Sequence, residues 1–219
     1  MSSKKILLIG GGGHCKSVLD SILVSGEFSE VGIIDMKENI GKDIFGVPVI
    51  GCNDNISDCL RQGYEYAFVT VGGKLKIRIS LFDLIEKTGF VIPTIVDPSA
   101  VISANAFIEK GVFVGKKVVI NAGAVVKKGA IINTGAIVEH DCLVGEFAHI
   151  APGVVLCGGV CIGKFTHVGA KSVVKQQVRI GDSCLIGMGS VVVKDIEGGM
   201  MAYGVPCREV KPIESLHNS

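Results

Sequence analysis

GAIVEHDCLVGEFAHIAPGVVLCGGVCIG, residues 135–163, is the stretch whose reading decides the fold. Within it every sixth residue is aliphatic: Val138, Val144, Ile150, Leu156 and Ile162. The period extends in both directions, back through Ile132, Val126, Ile120, Val114, Ile108 and Ile102 to Val96, and on through Val168, Val174, Ile180 and Ile186 to Val192. Chance would give so long a run in a chosen register with odds on the order of 10⁻⁸. The residue two places before each aliphatic is small. In the quoted stretch these are Ala136, Cys142, Ala148, Val154 and Val160, and none from Ala100 onward is larger than valine. Glycine often follows the aliphatic, as at Gly145 and Gly163.

A period of six is too short for a helical repeat. It fits a strand of about four residues and a corner of two, and three such units close one triangular coil of a parallel β-helix. The aliphatic and the small residue then point inward, and stacked coils bury a continuous core. The run from Val96 to Val192 makes a little over five coils, and because the register never slips, no long loop interrupts it.

The first hundred residues follow a different pattern. Lys5–Gly10 reads as a short buried strand, followed by a glycine loop and a helix with Val18, Leu19, Ile22 and Leu23 on one face. Val31–Met36 and Tyr66–Gly73 read as two further strands, the last leading into a helix through about Lys87. Strand–helix alternation predicts a small Rossmann-like parallel sheet of three or four strands. Pro93 and Pro98 bracket the passage into the repeat. The expected organisation is an α/β domain over 1–93, a β-helix over 94–196 and a C-terminal tail over 197–219.

Composition narrows the function. Of 219 residues 48% are apolar, 30 are glycine, none is tryptophan, and the net charge is +1. There is no basic footprint for nucleic acid or an anionic membrane. The apolar run Ile6–Ile9 after Lys4-Lys5 is too short for a signal peptide, and no stretch approaches the ~18 apolar residues of a membrane span. The eight cysteines contain no C-x-x-C pair. They read as reduced thiols of a cytoplasmic protein, used as small apolar residues.

Two places carry chemistry. The loop Gly10–Gly13 feeds a helix N-terminus, which offers backbone N–H groups and a positive dipole end to a pyrophosphate. Asp35 lies at about the distance of a ribose-binding acid. Counting G-x-G-x-x-G from Gly10, the sixth position is Cys15 rather than glycine. That favours a nucleotide-linked sugar with its own pyrophosphate over NAD; the bland alternative is a loop that only makes a tight turn. The second place is His140-Asp141, at the third and fourth hexad positions, outside the inward pair. The pair should therefore point out at a corner, toward a neighbouring subunit. An amine attacking a thioester must lose a proton. A histidine poised near neutral pH can take it, and an adjacent carboxylate stabilises the imidazolium. The alternative is a solvated turn. Cys142, beside the pair, sits at an inward small position, so direct transfer is expected rather than an acyl-enzyme. His149 and His167 lie one coil apart and can touch, but no convergent metal-ligand set is present, and no metal is expected.

With these residues in view, the chain resembles the hexapeptide-repeat acyltransferases and, over nearly its whole length, the sialic acid O-acetyltransferase family in its broad sense. That family includes the bacterial nucleotide-sugar N-acetyltransferases of the bacillosamine-pathway type, which serve surface polysaccharide or glycan biosynthesis. IGGGGHCKSV, GIIDM, VTVGGKLKIR, the run from Ile132 to Gly163 and AYGVPCREVK fall in the family's order and spacing. The resemblance implies a left-handed coil, a homotrimer, acetyl-CoA as co-substrate in a groove between neighbouring β-helices, and a nucleotide-linked amino sugar as acceptor. It implies His140 as general base and Asp141 as the acid that raises its basicity, where many members carry glutamate. Gly158 falls where a main-chain N–H faces the thioester carbonyl, and His149, Ala170 and Met188 fall at acetyl-CoA contacts. Gly12, Gly13, His14, Asp35, Met36, Gly72, Gly73 and the polar Asn133 fall on the sugar-nucleotide side. The runner-up reading is a sugar O-acetyltransferase acting on sialic acid or a related hydroxyl. A non-enzymatic β-helix scaffold is the third.

Overall fold

The computed structural model describes residues 4–213, and the chain divides into two compact units, Met1–Ile95 and Val96–Ser219.

The first unit is built on a five-stranded sheet. Its strands are β1 (Lys5–Ile9), β2 (Glu30–Ile34), β3 (Asp43–Ile44), β4 (Val47–Gly51) and β5 (Tyr66–Val69), in the order β3-β4-β2-β1-β5. β1, β2, β4 and β5 are parallel, and β3 turns back antiparallel on β4. β1 is a continuous apolar run because both of its faces are covered: Ile6, Leu7, Leu8 and Ile9 are all buried. The helices are α1 (Gly13–Ser25), α2 (Ile56–Arg61) and α3 (Leu75–Thr88). α1 buries Val18, Leu19 and Ile22, but Leu23, expected on the same face, is 48% exposed. Four residues are a wider arc than the sheet covers. Both α1 and α3 end on a glycine in the left-handed conformation, Gly26 and Gly89.

The second unit is the left-handed hexapeptide β-helix. Among the described residues it has seventeen rungs, from β6 (Ile95–Val96) to β22 (Val191–Val192). Each rung pairs two residues where the sequence suggested about four; the remaining four of each hexad form the corner. Ladder partners lie eighteen residues apart, as with Val119, Ile137 and Val155. The second residue of each rung and the small residue before it point inward. From Val112 onward these residues are buried, including Thr166, Ser172 and Ser190, whose hydroxyls bond backbone groups. Each fully buried Val, Ile or Leu contributes roughly 1.5–3 kcal/mol.

The first residue of each rung faces out, and the three faces differ. The six-stranded face carries Val101, Val119, Ile137, Val155, Val173 and Val191, all aliphatic and β-branched. The segment expected as a tail forms a hairpin, β23 (Met200–Gly204) with β24 (Cys207–Pro212), that extends the eight-stranded face. Its Ala202 and Cys207 join the β-helix core. Residues 214–219 of that segment lie outside the described residues.

Candidate active site

His140 and Asp141 occupy the corner that follows Ile137–Val138. Their side chains are 64% and 73% exposed, and His140 Nδ1 lies 2.9 Å from Asp141 Oδ2. Asp141 adopts a left-handed backbone conformation at this corner (φ 58°), which a short polar side chain tolerates. Its carboxylate reaches the imidazole despite being one methylene shorter than glutamate. The hydrogen bond that His140 donates to Asp141 raises the pKa of His140, and the Glu139 carboxylate acts in the same direction. A carboxylate can only accept, so Nδ1 carries the proton and Nε2 is the basic nitrogen.

Because a coil is eighteen residues long, the corner of the next coil places Gly158 beside His140. A Cβ on Gly158 would collide with His140 Nε2 and come within 2.6 Å of Cε1. Gly123, one coil earlier, leaves matching room for Asp141, whose Oδ1 would meet a Cβ there at 2.5 Å. The histidine ring is thus set against Gly158 and the Asp141 carboxylate against Gly123. The Gly158 N–H donates to no protein acceptor among the described residues, and the same holds for the N–H groups of Ala170 and Met188. All three sit at the third hexad position, within the corner turn.

Within the chain the structure does not bring the acetyl-CoA candidates together with His140. His140 and Gly158 lie on the corner after the aliphatic face, and Ala170 and Met188 on the corner before it. His149 and His167 stand on the eight-stranded face with ring centroids 4.7 Å apart at 90°. Asn133 Nδ2 is 3.3 Å from His149 Nε2. Cys142 is buried, its thiol lies 3.2 Å from the Cys157 carbonyl oxygen, and burial pushes its pKa up to about 11, so it is no nucleophile at neutral pH. Among the described residues no group of three metal-ligating side chains converges.

In the first unit, Gly12 and Gly13 open α1 with nothing within 4 Å of where a side chain would start. Gly11 is the tight position, packed on the Asp35 carboxylate, which also accepts a 2.8 Å bond from Asn39 Nδ2. A cavity of about 430 Å³ adjoins the loop, lined among others by Gly10, Asp35, Met36, Lys37, Asp54 and Ile77. Gly12, Gly13, His14, Gly72 and Gly73 lie outside its lining. His14 packs against Gly72, and burial, with the positive charge of Arg78, pushes its pKa down to about 4. Lys37, Glu38, Cys52, Asn53 and Asp54, five of the thirteen lining residues, flank the hairpin β3–β4, which the sequence does not signal. Its turn, Phe45-Gly46, places a phenylalanine at positive φ, and Pro48 lies within β4, so neither strand nor turn carried its usual signal.

Comparison with known proteins bears on both units. The model of the PglD N-terminal domain matches residues 5–85, and that of the hexapeptide repeat of succinyl-transferase matches residues 93–128 and 159–194. The chain is similar to PerB from Caulobacter crescentus, solved in complex with CoA and GDP-perosamine. The identity is 35%, covering 94% of this chain and 97% of that one, with a TM-score of 0.89. It is similar to the acetyltransferase domain of PglB from Neisseria gonorrhoeae FA1090 in complex with acetyl coenzyme A, at 34% identity over 95% of this chain and 100% of that one, TM-score 0.90. WeeI from Acinetobacter baumannii AYE shares the fold at 22% identity over 94% of this chain and 100% of that one, TM-score 0.84.

Proposed function

This chain belongs to the acetyl-CoA-dependent nucleotide-sugar N-acetyltransferases that join a PglD-type N-terminal domain to a hexapeptide β-helix, and we propose that its acceptor is a nucleotide-linked 4-amino-4,6-dideoxy sugar, acetylated by direct transfer with His140 as general base. The observation that carries the mechanism is the corner where His140 Nε2 lies over Gly158 while Nδ1 is held by Asp141. The sugar amine attacks the thioester carbonyl carbon and gives its proton to His140 Nε2. The carbonyl oxygen becomes an oxyanion, which accepts from the Gly158 N–H; that N–H has no acceptor among the described residues, which supports the role. Collapse restores the carbonyl, breaks the carbon–sulfur bond and expels the CoA thiolate, which takes the proton back from the imidazolium. Asp141 stabilises that imidazolium without leaving its place.

The N-terminal domain, 1–93, takes the nucleotide sugar, with the pyrophosphate at Gly12 and Gly13 and the nucleoside toward Asp35 and Met36. His14, Gly72 and Gly73 complete that side. The β-helix, 94–196, takes acetyl-CoA through His149 and the N–H groups of Ala170 and Met188. The enzyme is a homotrimer. His140 with Gly158, and Ala170 with Met188, border opposite edges of the aliphatic face, so one protomer does not gather them into one cleft. A second copy seated on Val101, Ile137 and Val173, which are exposed or half-buried, would bring one edge of each together. Among the described residues no helix is long and apolar enough to cross a membrane. Eight unpaired thiols, six of them buried, support a place in the cytoplasm.

The test is incubation with acetyl-CoA and either a panel of UDP-, GDP- and dTDP-linked amino sugars or free sialic acid, following release of free thiol. Thiol release with a 4-amino sugar is the expected result. Release only with free sialic acid would transfer the assignment to O-acetylation.

A further inference from the structure

The half-buried pair Asn133 and His149 contains a chain of donors and acceptors with only one consistent solution. The Thr134 backbone N–H points at Asn133 Oδ1 from 2.8 Å. A backbone N–H can only donate, so the atom it meets must be the amide oxygen, and the Thr134 hydroxyl at 3.4 Å is compatible with the same assignment. The other end of the amide is then the NH2 group, which can only donate. It lies 3.3 Å from His149 Nε2. Nε2 must therefore accept, which it does only without a proton. A neutral imidazole with a bare Nε2 carries its hydrogen on Nδ1.

We propose that Asn133 is a positioning residue that acts through His149: it fixes the neutral, Nδ1-protonated form of that imidazole, and so sets which ring nitrogen is the N–H donor toward acyl-CoA. The carbonyl oxygens of the thioester and of the pantetheine arm are acceptors, so a ligand site here needs a donor of fixed orientation. Ile131 and His167 flank His149 on its ladder, one coil to each side, and His167 meets it edge to face. Neither neighbour is a carboxylate that would draw the proton to Nε2. Both polar atoms of Asn133 are thus engaged within the chain, while the second amide hydrogen stays available to a ligand.

The tautomer follows from the geometry alone; only the acyl-CoA role rests on the function proposed above. The experiment is long-range proton–nitrogen NMR of the intact, ligand-free protein labelled in histidine, at a pH of about 8, above the ordinary histidine range. The His149 ring is identified by its loss in His149→Gln. Nδ1 should resonate as a protonated nitrogen and Nε2 as a bare one. In Asn133→Asp, nearly the same shape, the carboxylate still accepts from Thr134 but can no longer donate to Nε2, so the hydrogen should move to Nε2. Binding of CoA to Asn133→Asp should weaken by roughly 3- to 10-fold, the worth of one hydrogen bond. A protonated Nε2 in the wild type, or an unchanged tautomer in Asn133→Asp, would overturn the assignment. A reversed tautomer with unchanged CoA affinity would overturn the donor role. Absence of turnover on every nucleotide amino sugar would instead strike the proposed function and leave the tautomer standing.

Discussion

At the scale of single residues, His140→Ala should lower kcat by about 10²–10⁴-fold at neutral pH, the usual contribution of a general base. Part of the loss should return at high pH, where the free amine needs less help. Asp141→Asn should cost less. Its hydrogen bond is what raises the His140 pKa above the ordinary 6.5, and the base works only when unprotonated. The acid limb of the kcat/KM profile should therefore move to lower pH in Asp141→Asn, with a lower plateau because the freed imidazole is a weaker base. His14 is no substitute, since a group held at about 4 accepts a proton poorly from an amine. Gly158→Ala is a finer probe. Its φ is not in the left-handed region, and the atoms nearest its added methyl are those of the exposed His140 ring. Melting temperature should stay near that of the wild type while kcat falls roughly 10- to 100-fold, because a misplacement of about 1 Å can cost that much. Combined with His140→Ala, it should cost little more, since the two changes damage the same contact.

At the scale of elements, the β-helix was legible to the single residue. Leu156 and Ile150 sit inward because a strict period leaves no other register, and both are fully buried. Ile150→Ala should cost about 2–5 kcal/mol, read from chemical denaturation, because flanking coils cannot close over the cavity. The pairing of His140 with Gly158 was also present in the spacing, but it becomes visible only once the coil is known to close in eighteen residues. What stayed hidden was β3–β4 and α2, where short elements carry little periodicity: β3 has two residues and α2 six. Phe45 at the turn and Pro48 in the strand argue against the structure that forms, and tertiary context overrides them. At the glycine loop, Gly12→Leu should raise KM for the nucleotide sugar and leave KM for acetyl-CoA nearly unchanged in steady-state kinetics. No protein atom lies within 4 Å of where its side chain would start, so folding should be unaffected.

At the scale of the whole molecule, the aliphatic face makes the trimer testable without touching the chemistry. Val155→Glu places a charge in the middle of that face, at a residue whose partners on the ladder are Ile137 and Val173. Sedimentation should show monomers, and turnover should vanish with assembly; an active monomer would remove the need for a second copy. The coil has a further consequence. Its interior keeps time on a six-hour dial, for any insertion of six residues leaves Val, Ile and Leu facing the core. The corner of His140 keeps time on an eighteen-hour one, since His140 finds Gly158 only after a full revolution. A lineage that gains one hexad between them would still fold and still stack, yet the glycine would have rotated a third of the way round the prism, leaving the histidine over a stranger.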